Sequence, residues 1–390
     1  MRFLKKYRVI LFLITMFILG FLTMPLFHGG YFGVVLRSYT GIAWYYHLLL
    51  FIGLFLLTLA LHEVAHFVSF LMSGYENEAL IILFFVFYKK DGKWRVGINF
   101  RLLLLMGGLV FPNLGTIESD EDFVKARDAM RKSLLVAPMF TLISGVLIFF
   151  VTMIFFYHVS WLVVISLYTF IFSLLYTFVS YQENNQMFGD FKAYQRVKVD
   201  DAFAFKVILQ YTSEYSDYQI NFIRDYLDKE LYSDDAMIYL HLLLDRFIFN
   251  SDTFDFYLFE KMTSYIHEDF RFINAIHSNA GLEFAQMIIF YADKIGYRDR
   301  ALILKEKLFH HLDISKYREI IKTYIKKQTN HLLDLEDNSA YINDVKNIAS
   351  NPLYFIISSI PSFVSAELER NEGYGKLPLE CEIEDLTKSP

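Results

Sequence analysis

Cysteine is nearly absent from this chain: Cys381 stands alone among 390 residues. An intramolecular disulfide is therefore excluded, and the usage fits a soluble part kept in a reducing compartment. Net positive charge is missing too. The formal balance is −6, with no basic cluster of the kind that neutralises phosphates, so nucleic acid is not an expected partner. No glycine-rich phosphate loop is visible, and no internal repeat is clear enough to name. Glycine and proline are scarce between residue 200 and about 350, which leaves that region free to form helices.

What fills the chain instead is apolar. Hydrophobic residues make up 55% and aromatics 18%, with a mean hydropathy of +0.32. The excess is unevenly spread. Charge divides the same way, with a net of +5 up to residue 200 and −11 beyond it. Two regions in different surroundings, one membrane-bound and one soluble, produce such a split.

Four apolar runs are long enough to span a bilayer: residues 7–27, 44–73, 133–156 and 161–180. The first follows "MRFLKK" and lacks a small-x-small cleavage site, so it reads as an anchor rather than a cleaved leader. Basic residues set the orientation. Arg2, Lys5, Lys6 and Arg8 precede the first run. Nine Lys and Arg from Lys89 to Lys132 lie between the second and third, and Lys192, Arg196 and Lys198 follow the fourth. Only Arg37 falls in the 28–43 connection, and the 157–160 turn has none. Both termini are expected in the cytoplasm, in a multi-pass protein of the cell membrane.

Between the second and third runs, "LIILFFVFY-KKDGK-WRVGINF" reads as a membrane-associated β-hairpin. Asp91-Gly92 supplies its positive-φ turn. Trp94, Val96, Ile98 and Phe100 alternate with polar or small residues, as on a half-buried strand. Gly107-Gly108 permits a sharp bend as "LLLLMGGLVFPN" returns toward the membrane. After residue 200 come amphipathic stretches with apolar positions at three- and four-residue spacing: "DYQINFIRDYLDKELY", "DDAMIYLHLLLDRFIF", "LEFAQMIIFYADKIG" and "ALILKEKLFHHLDISKYREIIKTYIKK". The expected architecture is an α-helical polytopic membrane protein with at least four transmembrane helices and a β-hairpin over 1–198. An all-α cytoplasmic domain over 199–370 and a flexible acidic tail over 371–390 complete it.

The chemistry lies in "TLALHEVAHFVSF" (58–70). A charged residue near the bilayer centre costs roughly 2.5–3.5 kcal/mol, and a bound metal is one of the few offsets that fits His62, Glu63 and His66 together. On a helix, positions i and i+4 share a face, so His62 and His66 can direct imidazole nitrogens at one Zn²⁺. Glu63 can then take a proton from a water on the metal and pass it to a leaving amine. A catalytic zinc usually has three protein ligands and one position for water. "SYQENNQMFGDFKAY", after the fourth run, offers Glu183 and Asp190 for the third. The other candidates are weaker: His310-His311 belongs to no Cys or His motif and suits a solvated helix face, His158 suits an outer turn, and His28 and His47 are isolated in the sequence.

Over residues 44–195 the chain resembles the site-2 protease family of intramembrane zinc metalloproteases. The resemblance rests on HEVAH in a membrane helix, the hairpin, the Gly107-Gly108 turn, a basic stretch and then "APMFT". Pro138 matches the family's G-P-x-x-N, with Ala137 and Thr141 in place of Gly and Asn. "NNQMFGDF" is similar to the family's Asn…Asp-Gly motif, although here the glycine precedes the aspartate. The resemblance implies His62, His66 and Asp190 as zinc ligands and Glu63 as the catalytic base. It also implies cleavage of a membrane protein or membrane-bound peptide near the cytoplasmic face, with the hairpin offering an edge to an extended substrate. A protein partner for the acidic domain is compatible with this reading. Two others stay open: a membrane-anchored surface zincin with a third ligand beyond residue 200, and a non-catalytic zinc-binding adaptor.

Overall fold

A computed structural model describes residues 30–100, 102, 107–183, 188–212, 215–230 and 279–348 except 295, with scattered positions between 236 and 261. The expected first span (7–27), much of "DDAMIYLHLLLDRFIF" and the acidic tail lie outside the described residues. Among the described residues the protein is mainly helical with one small antiparallel sheet. Its contacts divide it into two compact units. One runs to Ser69 and takes in Lys132–Gln195; the other takes in Phe70–Arg131 and everything from Arg196 onward.

In the first unit, α1 (Tyr31–Thr40) precedes α2 (Trp44–Met72), which holds the HEVAH stretch. Then come most of α3 (Asp120–Phe155), α4 (Ser160–Ser180) and the start of α5 (Asp190–Val199). Helices α2, α3 and α4 are each long and apolar enough to cross a membrane, and the protein is membrane-associated on that ground. Their outward side chains are large and apolar: Leu49 is 64% exposed, Ile143 56% and Leu147 59%. Lipid gives such a surface the burial that water cannot. Trp44, Tyr45 and Tyr46 at the start of α2 and Trp161 at the start of α4 form an aromatic group, with Tyr46 and Trp161 in edge contact at 5.1 Å. Amphipathic rings of this kind favour a membrane–water interface. His47 is not isolated. Its ring nitrogens meet the Tyr168 hydroxyl at 3.1 Å and the Tyr39 carbonyl at 2.9 Å.

Small residues let α3 approach its neighbours. Ser133, Ala137, Thr141 and Gly145 recur every four residues along one stripe, and the first three are almost fully buried. At Gly145 an added Cβ would come within 2.5 Å of the Ser173 Cβ on α4. Close backbone approach through small residues is how membrane helices pack when lipid offers no hydrophobic drive. The hydroxyls of Thr169, Ser173, Thr177 and Ser180 on α4 are satisfied there, because each donates to the carbonyl one turn earlier.

In the second unit the hairpin grows into four strands, β1 (Glu76–Ile82), β2 (Phe85–Lys90), β3 (Lys93–Ile98) and β4 (Gly108–Asn113), ordered β3-β2-β1-β4. The Asp91-Gly92 turn forms as expected, with φ of 53° and 71°. The run expected as one strand, "LIILFFVFY", breaks at Leu83-Phe84 into a second hairpin that pairs Ile82 with Phe85. Leu83 takes φ 56°, unusual for a bulky residue. It is held by burial and by an N–H bond of 3.1 Å to the Gly107 carbonyl. The segment from Gly108 is a strand pairing with β1, so it extends the sheet. Pro112 is tolerated because β4 is an edge strand. Ala79, Ile81, Val86 and Leu102 make the sheet core, with Tyr88, Leu109 and Phe111 against it. β3 is the other edge: Trp94, Val96 and Ile98 are 45%, 64% and 59% exposed rather than half-buried.

Helix α3 starts well before the expected span, at Asp120. Ser119 accepts from the Asp122 N–H while its hydroxyl donates to the Asp122 carboxylate, and Asp120, Glu121 and Asp122 complement the positive end of the helix dipole. Next in this unit come α6 (Asp201–Leu209), capped by Asp200 accepting from the Phe203 N–H, and α7 (Asp217–Glu230). α8 (Asn279–Lys294), α9 (Arg298–Ile314), α10 (Glu319–Leu332), α11 (Ser339–Ile342) and α12 (Val345–Ile348) follow. The Phe123 ring of α3 packs 5.4 Å from that of Phe205, and the Tyr218 hydroxyl donates to Asp120 at 2.7 Å. The long stretch from Ala301 divides into α9 and α10 because the Ser315 hydroxyl donates to the Leu312 carbonyl and accepts from the Tyr317 N–H.

Candidate metal centre

His62 and His66 sit one turn apart on α2, and α5 presents Asp190 in its first turn. The three offer ligand atoms all within 4.8 Å of one another. Asp190 Oδ2 lies 3.0 Å from His62 Nε2 and 3.5 Å from His66 Nε2. Four ligands at tetrahedral angles with bonds of about 2.05 Å have edges of roughly 3.3 Å, so the observed spacings suit such a site. Glu183, the other carboxylate offered by the sequence, is exposed and forms an isolated bridge with Phe188. Among the described residues no carboxylate beyond residue 200 joins the cluster.

Hydrogen bonding fixes how the imidazoles present themselves. The Thr141 hydroxyl donates to the Ala137 carbonyl at 2.9 Å, so its proton is committed. It must accept from His62 Nδ1–H, 3.1 Å away. That leaves the His62 Nε2 lone pair facing a carboxylate oxygen. Two acceptors at 3.0 Å repel unless a cation lies between them, either a proton or a metal ion. His66 Nδ1 has a matching hydroxyl, Ser133 Oγ, at 2.9 Å. A metal-ligating histidine usually gives its other ring N–H to an oxygen acceptor, and a hydroxyl stands at that position for each imidazole. Pro138 falls between Ser133 and Thr141, removing one backbone bond of α3 in the segment facing the histidines.

Asp190 is placed by its neighbours. The Gly189 N–H donates to the Gln182 carbonyl at 2.9 Å, the Gly189 carbonyl accepts from Ala193, and the Phe191 ring packs 4.6 Å from Tyr181. Gly189 rests on the end of α4. An added Cβ would lie 2.5 Å from the carbonyl oxygens of both Val179 and Ser180. This contact accounts for the glycine preceding the aspartate. Burial opposes the charge on Asp190, but protons on the His66 and His62 imidazoles outweigh it and hold its carboxyl well below the usual range.

Glu63 is buried, 6% exposed, and directly follows His62 on α2. Tyr176 of α4 stacks on His62, with ring centres 5.7 Å apart and planes 21° apart. The sequence alone did not point to Ser133 or Tyr176, and it showed Thr141 and Gly189 only as departures from a motif. The four-residue spacing of Ser133, Ala137, Thr141 and Gly145 is the one signal that could have pointed to that face. No protein-family model, curated protein or solved structure matches the chain.

The donor set is two imidazole nitrogens and one carboxylate oxygen, which suits zinc and other first-row divalent metals better than calcium or magnesium. These residues fit a metal ion.

Proposed function

We propose that the protein is a membrane-embedded zinc metallopeptidase of the site-2 protease type. It would cleave membrane proteins or membrane-bound peptides near the cytoplasmic face. The observation that carries this reading is the acceptor-to-acceptor contact of His62 with Asp190, beside a buried glutamate one residue from the first histidine. His62, His66 and Asp190 would hold Zn²⁺, which would supply Lewis-acid chemistry and lower the pKa of water from 15.7 to about 7. Glu63 accepts the proton of the attacking water and returns it to the leaving nitrogen. Thr141 and Ser133 keep both Nε2 atoms turned to the metal. Burial among apolar helices keeps competing water out and strengthens each charge interaction. The basic segments flanking the spans support a cytoplasmic placement of both termini and of the centre's end of α2.

The test is cleavage of a fluorogenic transmembrane peptide in micelles by the wild type and Glu63→Gln. The variant should keep its metal and lose turnover by at least about 10²-fold, the lower end of general-base contributions. Unchanged turnover would remove the peptidase reading. A Glu63→Gln variant that keeps the cellular phenotype would favour the adaptor instead.

A further inference from the structure

Tyr176 carries a polar group that packing does not explain. Its ring lies between Phe55 and His62 of α2, at 6.0 Å and 5.7 Å with 21° between planes in both cases. A phenylalanine would fill the same slot. Yet the hydroxyl oxygen is buried and, among the described residues, has no hydrogen-bond partner. Such an orphan costs about 1–3 kcal/mol, and its neighbours on α4 avoid that cost. Thr169, Ser173, Thr177 and Ser180 all bond to carbonyls of their own helix. Tyr176 is too long to do so and reaches across to α2, where its ring stacks on His62, the residue before Glu63. A neutral donor is thus fixed against a proposed ligand, with its hydrogen bond unspent.

We propose that the Tyr176 hydroxyl donates a hydrogen bond to the scissile carbonyl oxygen as that oxygen becomes negative, making Tyr176 a further catalytic residue. This rests on the peptidase reading above. Water's oxygen bonds to the carbonyl carbon, its proton passes to Glu63, and the π pair moves onto the carbonyl oxygen. Tyr176 stabilises that charge and keeps its own proton. The pair then returns, the C–N bond breaks, and Glu63 protonates the departing nitrogen. A preorganised donor aimed at developing charge is worth about 10²–10³ in kcat. The stacking between two side chains of α2 supplies the preorganisation.

The experiment uses the full chain and compares wild type with Tyr176→Phe, which keeps the stack. Bound zinc is measured, together with kcat and KM for the fluorogenic transmembrane peptide. Calorimetry then follows binding of an apolar peptide carrying a Leu–Leu phosphinic isostere, a mimic of the tetrahedral state. The variant should retain zinc and KM within about twofold, lose about 10² in kcat, and bind the phosphinic peptide at least tenfold more weakly. If Tyr176→Phe binds the isostere and turns over like wild type, the proposal is wrong while the peptidase reading stands. If Tyr176→Phe loses zinc, the tyrosine is structural and the proposal is equally wrong. If wild type itself neither binds the isostere nor cleaves, the peptidase reading has failed and takes this proposal with it.

Discussion

Gly189→Ala adds a single methyl group and should cost most of the metal affinity. The new Cβ would sit 2.5 Å from the Val179 and Ser180 oxygens and 2.6 Å from the Ser180 carbonyl carbon. All of these are backbone atoms at the end of α4, so no rotamer change relieves the contact. Ordinary contact begins near 3.4 Å, which requires the start of α5 to move by about 0.9 Å. Asp190 is the next residue, and a functional constellation tolerates only about 0.5 Å of displacement. A shift of that size resembles the loss of an outer-shell support, which costs about 10–100-fold in metal affinity. The assay is a zinc competition titration against a chelator. Gly53→Ala serves as the control, because nothing lies within 4 Å of a Cβ there. Zinc affinity of Gly189→Ala within twofold of wild type would refute the claim that this contact sets the position of Asp190.

Thr141→Val keeps the shape but removes the acceptor for His62 Nδ1–H, and zinc affinity should fall about 10–100-fold in the same titration. Gly145→Ala pushes a methyl group into Ser173. It should lower stability by about 1–3 kcal/mol, read by thermal unfolding in detergent, with partial recovery in Gly145→Ala/Ser173→Gly.

How much of this was legible beforehand differs by element. HEVAH declared itself because ionisable groups inside an apolar run need a reason to be there. The spans at α2 and α4 followed from run length alone. Asp91-Gly92 carried its own turn chemistry. The break at Leu83 left no such mark, since "LIILFFVFY" offers no glycine, proline or asparagine. The turn exists because Gly107, far along the chain, bonds to Leu83. The exposure of Trp94, Val96 and Ile98 likewise depends on strand order, which alternation along β3 cannot reveal. At the site, Asp190 and the histidines were separable candidates, but their convergence is tertiary. The roles of Ser133, Thr141 and Gly189 arise from what each touches on another helix, so their spacing hinted at a packed face without naming its purpose.

The central claim is that His62, His66 and Asp190 together hold one metal ion. Elemental analysis of the purified full chain, beside His62→Ala/His66→Ala and Asp190→Ala, tests it most directly. The account predicts about one zinc per wild-type chain, none in the double histidine variant and a marked loss in Asp190→Ala, since two remaining ligands hold Zn²⁺ poorly. Equal zinc in all three proteins would contradict it.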